Sequence, residues 1–378
     1  MKISKYSFGI GDRFGHEGIN QLQALIAAEA KYGVHFVPVW NKSNREHTII
    51  GTNPESVREE ADQAVKALNY TGEYYCDADH INLSNVDKFL SSCDFFTLDV
   101  ADYIGKEGTN SDRYDNAIKK AAELYRYIAE KKGADNFVTE ISMDEVERAQ
   151  TPDEVKYILT KIAEEKIPVQ TFAPKFTGRF NKGVDYVGDL AVFEREFEED
   201  LKVIQWAIKE LGLPENLKLS IHSGSDKFSI YPIMGRLLRK YDMGIHIKTA
   251  GTTWLEEIIG LSLADPQALE LAKRIYREAL ARHEELSKPY QTVIDIDPKA
   301  LPSPELVDSW DATTFARTLR HDEADSLYNP SFRQLLHVSF KVAAEWKDEY
   351  IPALERSAAV IGKEIADNLG ERHIGRLF

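Results

Sequence analysis

Across its first 262 residues the chain alternates, eight times over, between a short run rich in Val, Ile, Phe or Tyr and a longer amphipathic stretch. The apolar runs are Tyr6–Ile10, Val34–Val39, Glu73–Cys76, Phe95–Leu98, Phe137–Ile141, Pro168–Phe172, Leu217–His222 and Met243–Lys248. They read as buried parallel strands, which need apolar residues on both faces rather than strict alternation. The stretches between them read as helices: Gly18–Lys31, Pro54–Leu68, Arg113–Lys132, Pro152–Glu165 and Ala191–Leu211. Thr151 before Pro152, with Glu154 in the first turn, is a helix start; Gly212 followed by Pro214 is a helix stop. Eight such units predict an α/β fold, a (β/α)8 TIM-type barrel over residues 1–262. A doubly wound dinucleotide-binding sheet shares the alternation. In Gly9-Ile10-Gly11-Asp12-Arg13-Phe14-Gly15, however, the third glycine comes one residue late and Asp12 would face a pyrophosphate.

Beyond residue 262 the alternation gives way to long helical patterns at Asp265–Leu286, Ser303–Leu327 and Ser331 to about Leu369. They predict a C-terminal helical extension over residues 263–378, packed on the barrel or on a neighbouring subunit, which leaves room for a homo-oligomer. The segment Val293–Pro298 fits either a strand or a loop.

Composition removes several classes of function. No stretch approaches the ~20 apolar residues of a membrane-spanning helix, and Met1–Lys5 runs into a strand with no signal-peptide core. A formal net charge of −15 opposes non-specific binding of nucleic acid. Cys76 and Cys93 are expected as buried reduced thiols of a cytoplasmic protein.

In a (β/α)8 barrel the loops after the strands share one rim, where catalytic groups collect. Titratable residues cluster at those positions: Asp12, Asp79 and His80, Glu140, Lys175, His222, and His246 with Lys248. Among ten histidines, His80, His222 and His246 come from three different strands. They are candidate ligands of a divalent cation such as Zn, Mn, Co or Ni, with Glu140, Asp79 or His16 as replacements for any one of them. Asp79 beside such an ion is a candidate base, and Glu140, within an apolar strand, a candidate acid whose pKa burial would raise. Lys175, Lys227 and Lys248, together with Asp12, are the expected substrate contacts, the lysines implying an anionic ligand. Residues 173–183 have the glycine-punctuated composition of a mobile lid, and Ser223-Gly224-Ser225 offers backbone N–H groups to an anion. Lys175 or Lys248 as a Schiff-base nucleophile is the metal-free alternative. His337 reads as structural, and His16 and Asp226 stay open.

Several strings are long enough to carry a resemblance: residues 7–16 (SFGIGDRFGH), Asp79-His80, residues 222–232 (HSGSDKFSIYP), residues 246–252 (HIKTAGT) and residues 333–338 (RQLLHV). They resemble the tagaturonate/fructuronate epimerase family along the whole chain. The resemblance implies a metal-dependent sugar-acid isomerase interconverting D-tagaturonate and D-fructuronate. It implies Asp79 as proton acceptor, Glu140 as donor, and His80, His222 and His246 as ligands. The two sugars differ at a carbon β to the ketone, whose C–H the carbonyl does not acidify. Retro-aldol cleavage and re-addition is therefore expected over simple proton exchange. The rival readings are a metal-dependent sugar isomerase or class II-type aldolase acting on a phosphorylated sugar, and a non-catalytic sugar-acid binding protein.

Overall fold

The structure is a computed structural model describing residues 1–222 and 226–378. The barrel is closed, its eight parallel strands hydrogen-bonded in sequence order. They are β1 (Tyr6–Ile10), β2 (Val37–Ser43), β3 (Tyr75–Ile81), β4 (Phe95–Asp99), β5 (Val138–Ser142), β6 (Thr171–Ala173), β7 (Lys218–His222) and β8 (Ile245–Lys248). β1 pairs with both β2 and β8, which closes the cylinder and leaves no strand edge.

Side chains alternate across each strand. Phe8, Trp40, Phe96, Ile141, Phe172, Leu219 and Ile247 point outward into the large core shared with the helices. The inward positions hold a separate plug of Ile3, Val37, Val39, Tyr75, Phe95 and Val138 at the closed end. Above the plug the inward set turns polar, and it is fully or almost fully buried: Ser7, Asp77, Thr97, Glu140, Ser220, His246 and Lys248. Burying so many polar groups is tolerable only if they satisfy one another, and this layer is the floor of the site.

The strand spans differ most from expectation at β2 and β3, which run on through Ser43 and Ile81. The polar residues Asn41, Asp77 and Asp79 face the barrel interior, so polarity does not end the strand there. The helix starts behave as read. Thr151 and Glu154 form a complete capping box, and Gly212 ends Leu190–Leu211 at φ 68°.

After the helix Ala250–Ala264 the chain is helical in shorter pieces than the sequence pattern suggests. Ser303–Leu327 is two helices, Pro304–Asp308 and Ala312–Leu319; the second is capped by Asp311 accepting from Thr314 N. Residues 293–298 form no strand, and Gln334 takes the partner's role by accepting from Asp295 N and donating to Asp295 O. Lys347–Ala366 packs closely on Ala250–Ala264: a Cβ on Gly260 would lie 2.6 Å from Ile361. Buried residues of the extension, including Phe332, Leu335, Tyr350 and Ile361, belong to the same core as the barrel's outer face. Cys76 and Cys93 are free and buried. Among the described residues no helix is long and apolar enough to cross a membrane.

Candidate active site

The centre of the site comes from β3. His80 has φ 52°, and the β3–β4 register shifts between Ala78 and Ile81. A positive φ in a non-glycine residue is costly, and a bulge is the usual way to re-aim a side chain at a barrel rim. Here it lets the adjacent Asp79 and His80 both face the cavity, which a regular pleat forbids. His80 Nδ1 lies 2.8 Å from Asp79 Oδ1, and its Nε2 points toward Asp144, 3.9 Å from Oδ1.

His222, at the end of β7, mirrors this arrangement. Its Nε2 is 2.8 Å from Glu140 Oε1 and its Nδ1 is 3.3 Å from Asp144 Oδ2. The two rings stand 5.2 Å apart. His80, His222 and Asp144 each present one donor atom within 4.8 Å of the others. Both inward-facing nitrogens, His80 Nε2 and His222 Nδ1, are buried without a hydrogen bond. An imidazole with one nitrogen on a carboxylate and the other free is the arrangement of a metal-ligating histidine. Two of them facing one carboxylate form a donor set suited to a divalent transition-metal ion. Burial opposes charge on both rings. Asp79 and Asp144 outweigh it at His80, raising its pKa well above the usual value, and Asp144 chiefly raises His222 to about 9. Asp144 is itself opposed by burial but held well below the carboxylate range by the two histidines.

Beneath this trio Lys248 is an ionic hub. Its Nζ is 2.8 Å from Asp77 Oδ2, 2.8 Å from Asp79 Oδ1, 3.0 Å from Glu140 Oε1 and 2.6 Å from Thr97 Oγ1. Burial would discharge the ammonium, but the surrounding carboxylates raise its pKa well above normal. Of the carboxylates, burial outweighs Lys248 only at Asp77, whose pKa rises to about 7. Gly9 makes room for this hub. A Cβ there would lie 2.8 Å from Asn41 Nδ2 and 2.9 Å from Lys248 Cγ. Gly9→Ala is expected to cost about 1–3 kcal/mol in a denaturant titration, the usual overpacking penalty, and to lower turnover by displacing Lys248.

Several expected residues take other places. Burial does push the Glu140 carboxyl up, but Lys248 and His222 outweigh it and hold the group ionised. Glu140 thus lies on His222 Nε2 as an ionised partner. His246 sits one layer deeper than Lys248, its Nδ1 2.8 Å from Ser7 Oγ and its ring packed on Phe95. Burial lowers its pKa to about 3, and it is not among the residues that converge on Asp144. Asp12 accepts from the N–H groups of Phe14, Gly15 and Glu17 and shapes the turn after β1.

Lys227 is buried and donates to Asn181 O at 2.8 Å and Val184 O at 2.6 Å. It thus ties down the loop expected to be a mobile lid. Arg333 Nε holds Gly183 O at 2.6 Å, and Lys182 N donates to Val293 O at 2.7 Å. Arg333 also reaches Asp226 Oδ2 at 2.8 Å in a fully buried pair, which gives Asp226 a structural role. His337 is buried against Gly183, and His16 lies 3.9 Å from Glu355. Lys175 lines a pocket with Asp144, Phe176, Phe180 and His222. Residues 223–225, the expected anion-binding turn, lie outside the described residues.

Asp144 is the residue the sequence reading missed. It continues the inward positions of β5: Glu140, Ser142, Asp144. Following the two-residue period past the strand end would have found it.

A sequence profile of the tagaturonate epimerase family, UxaE, matches residues 1–114 and 109–377. The tagaturonate/fructuronate epimerase of Thermotoga maritima is 26% identical, over 98% of this chain and 80% of its own length. The glycerol-complexed crystal structure of fructuronate-tagaturonate epimerase UxaE from Cohnella laeviribosi superimposes with a TM-score of 0.83 at 23% identity, covering 100% of this chain and 82% of that one. The native form gives a TM-score of 0.79 at 24% identity over the same shares. With the profile covering nearly every residue, the chain belongs to the tagaturonate epimerase family, whose members are isomerases.

Proposed function

We propose that the protein interconverts D-tagaturonate and D-fructuronate by retro-aldol cleavage and re-addition at a divalent-metal site formed by His80, His222 and Asp144. The observation that carries the metal site is the pair of buried, unbonded nitrogens, His80 Nε2 and His222 Nδ1, turned toward one carboxylate. A bound cation would supply Lewis-acid stabilisation of charge on the ketone oxygen.

The chain's own residues do the rest. Asp79 is the part-exposed carboxylate beside the trio, and its Oδ1 is fixed by His80 and Lys248. It accepts the proton of the β-hydroxyl as the carbon–carbon bond breaks to give an enediolate and an aldehyde. Rotation of the aldehyde presents its other face. The enediolate carbon re-adds, and Asp79 returns the proton to the new alkoxide. Lys248 keeps Asp79 ionised for the first step: against the effect of burial, His80 and Lys248 hold its pKa well below normal. Asp79 and Glu140 fix the orientation of His80 and His222. Lys248 stays charged and bonded to its carboxylates, which speaks against it as a Schiff-base nucleophile, since that chemistry needs the free amine.

The test is conversion of D-tagaturonate by the purified protein in D2O, before and after chelation, followed by NMR with elemental analysis. The expected result is chelator-sensitive epimerisation that leaves the epimerised carbon unlabelled. Stoichiometric deuterium at that carbon would exclude retro-aldol chemistry, and full turnover by metal-free protein would exclude the metal.

A further inference from the structure

Three cations stand together on the β1–β2 side of the cavity. Arg13, in the turn after β1, packs its guanidinium 4.6 Å from the Phe340 ring centre and pairs with Glu46. Arg45 lies 5.0 Å over the Tyr290 ring, and Lys182, from the pinned loop, lies 5.9 Å over the same ring. Among the described residues neither Arg45 nor Lys182 has an ion-pair partner, and Glu46 already accepts the N–H of Ser43 at 2.9 Å. The cluster is close enough to the centre that Asp79 favours the charged forms of both Arg13 and Lys182.

Arg13 is buried and paired with Glu46, Lys182 is half-buried and Arg45 is exposed; like charges held this close repel one another unless a further anion joins them. Burial first, then Arg13 and Arg45, lower the Lys182 pKa to about 8. The cluster's position also suits a chain-like substrate. With one end of a six-carbon sugar acid on the His80–His222–Asp144 side, its other end would extend toward Lys182.

We infer that Lys182, Arg45 and Arg13 form the subsite for the substrate's carboxylate, so that the loop after β6 and the C-terminal extension, through Tyr290 and Phe340, set the preference for sugar acids over neutral sugars. This rests on the epimerase reading for the identity of the sugar, though the charge recognition is separately measurable. An arginine and a lysine on one carboxylate give charge-assisted hydrogen bonds, each worth about 10- to 100-fold in affinity.

The test is calorimetric titration of the purified protein with D-galactonate, galactitol and D-tagatose 6-phosphate, as non-reacting acid, neutral polyol and phosphate probes. The same titrations are made on Lys182→Met, Arg45→Met and Lys182→Arg. The wild type should prefer galactonate to galactitol by at least about 30-fold. Each Met variant should cut that ratio about 10-fold or more, while Lys182→Arg restores most of it. KM for D-tagaturonate should rise in parallel, with a smaller change in kcat. A ratio unchanged in both Met variants, or tighter binding of the phosphate than of galactonate, overturns the assignment. Restoration by Lys182→Arg excludes misfolding as the cause. If the wild type discriminates galactonate but does not turn over D-tagaturonate, the subsite stands and the epimerase reading falls.

Discussion

Asp144→Ala is expected to abolish metal binding and to lower kcat/KM by about 10³-fold or more, the scale of losing a main electrostatic stabiliser. The paired variant His246→Gln should keep its metal. The contrast follows from geometry. Asp144 is the only group that both orphaned nitrogens face among the described residues, at 3.9 Å from His80 Nε2 and 3.3 Å from His222 Nδ1. His246 is bonded to Ser7 one layer below. Glu140→Gln should fall between them, with a loss of about 10- to 100-fold in metal affinity, as for other carboxylates that orient a ligating histidine. Metal content by elemental analysis, with kinetics on the same preparations, decides the matter. An Asp144 variant that keeps its metal while the His246 variant loses it would return the ligand set to the three histidines.

Lys248→Met should be the most damaging single change to the fold. It leaves Asp77, Asp79 and Glu140 facing one another without their shared cation, and Lys248, Asp77 and Glu140 are almost wholly buried. Removing one partner of a buried ionic cluster costs about 3–5 kcal/mol. The deficit should shrink as pH falls. In the wild type, Asp79 and Glu140 have depressed pKa values, so the stability they contribute is present above their unfolded values and lost as pH falls through the folded ones. In the variant Asp77, already raised to about 7 by burial against the effect of Lys248, loses that cation and rises further, so its penalty is relieved by protonation as pH falls. The first effect acts only below the unfolded carboxylate values, and the second narrows the gap within the neutral range. Denaturant midpoints measured from pH 5 to pH 8 should show wild type and variant diverging upward with pH. A constant gap would mean that Lys248 acts through packing instead of charge.

The barrel was legible because each strand carries its own apolar signature and each helix its own caps; Thr151, Pro152 and Glu154 are sufficient to start a helix. The Asp79-His80 pair was legible too, but not the bulge that makes both usable, since a positive φ at His80 has no local sequence mark. A position near a strand end does not tell a rim residue from one in the floor of the site, as His246 on Ser7 and Lys248 among its carboxylates show. Depth within the barrel depends on register with the neighbouring strands, and β8 pairs Lys248 with His222 and His246 with Ser220. Lys227 misled for a related reason. A lysine after a strand looks like a rim residue until the backbone carbonyls of residues 181 and 184 claim it. The cluster at Lys182 joins segments far apart in the chain, and only the fold assembles it.

The ties between Lys227, Arg333 and the loop at residues 181–184 have a consequence for how reacting fragments would be held. That segment gives up its conformational freedom when the protein folds, not when substrate arrives. Ordering it at ~1–2 kcal/mol per residue is therefore already part of the folding free energy and is not subtracted from ligand affinity. A cleaved sugar acid would recombine between walls that are set before it enters. The aldehyde's high local concentration would come from a standing enclosure, so its recapture need not wait on a closing motion.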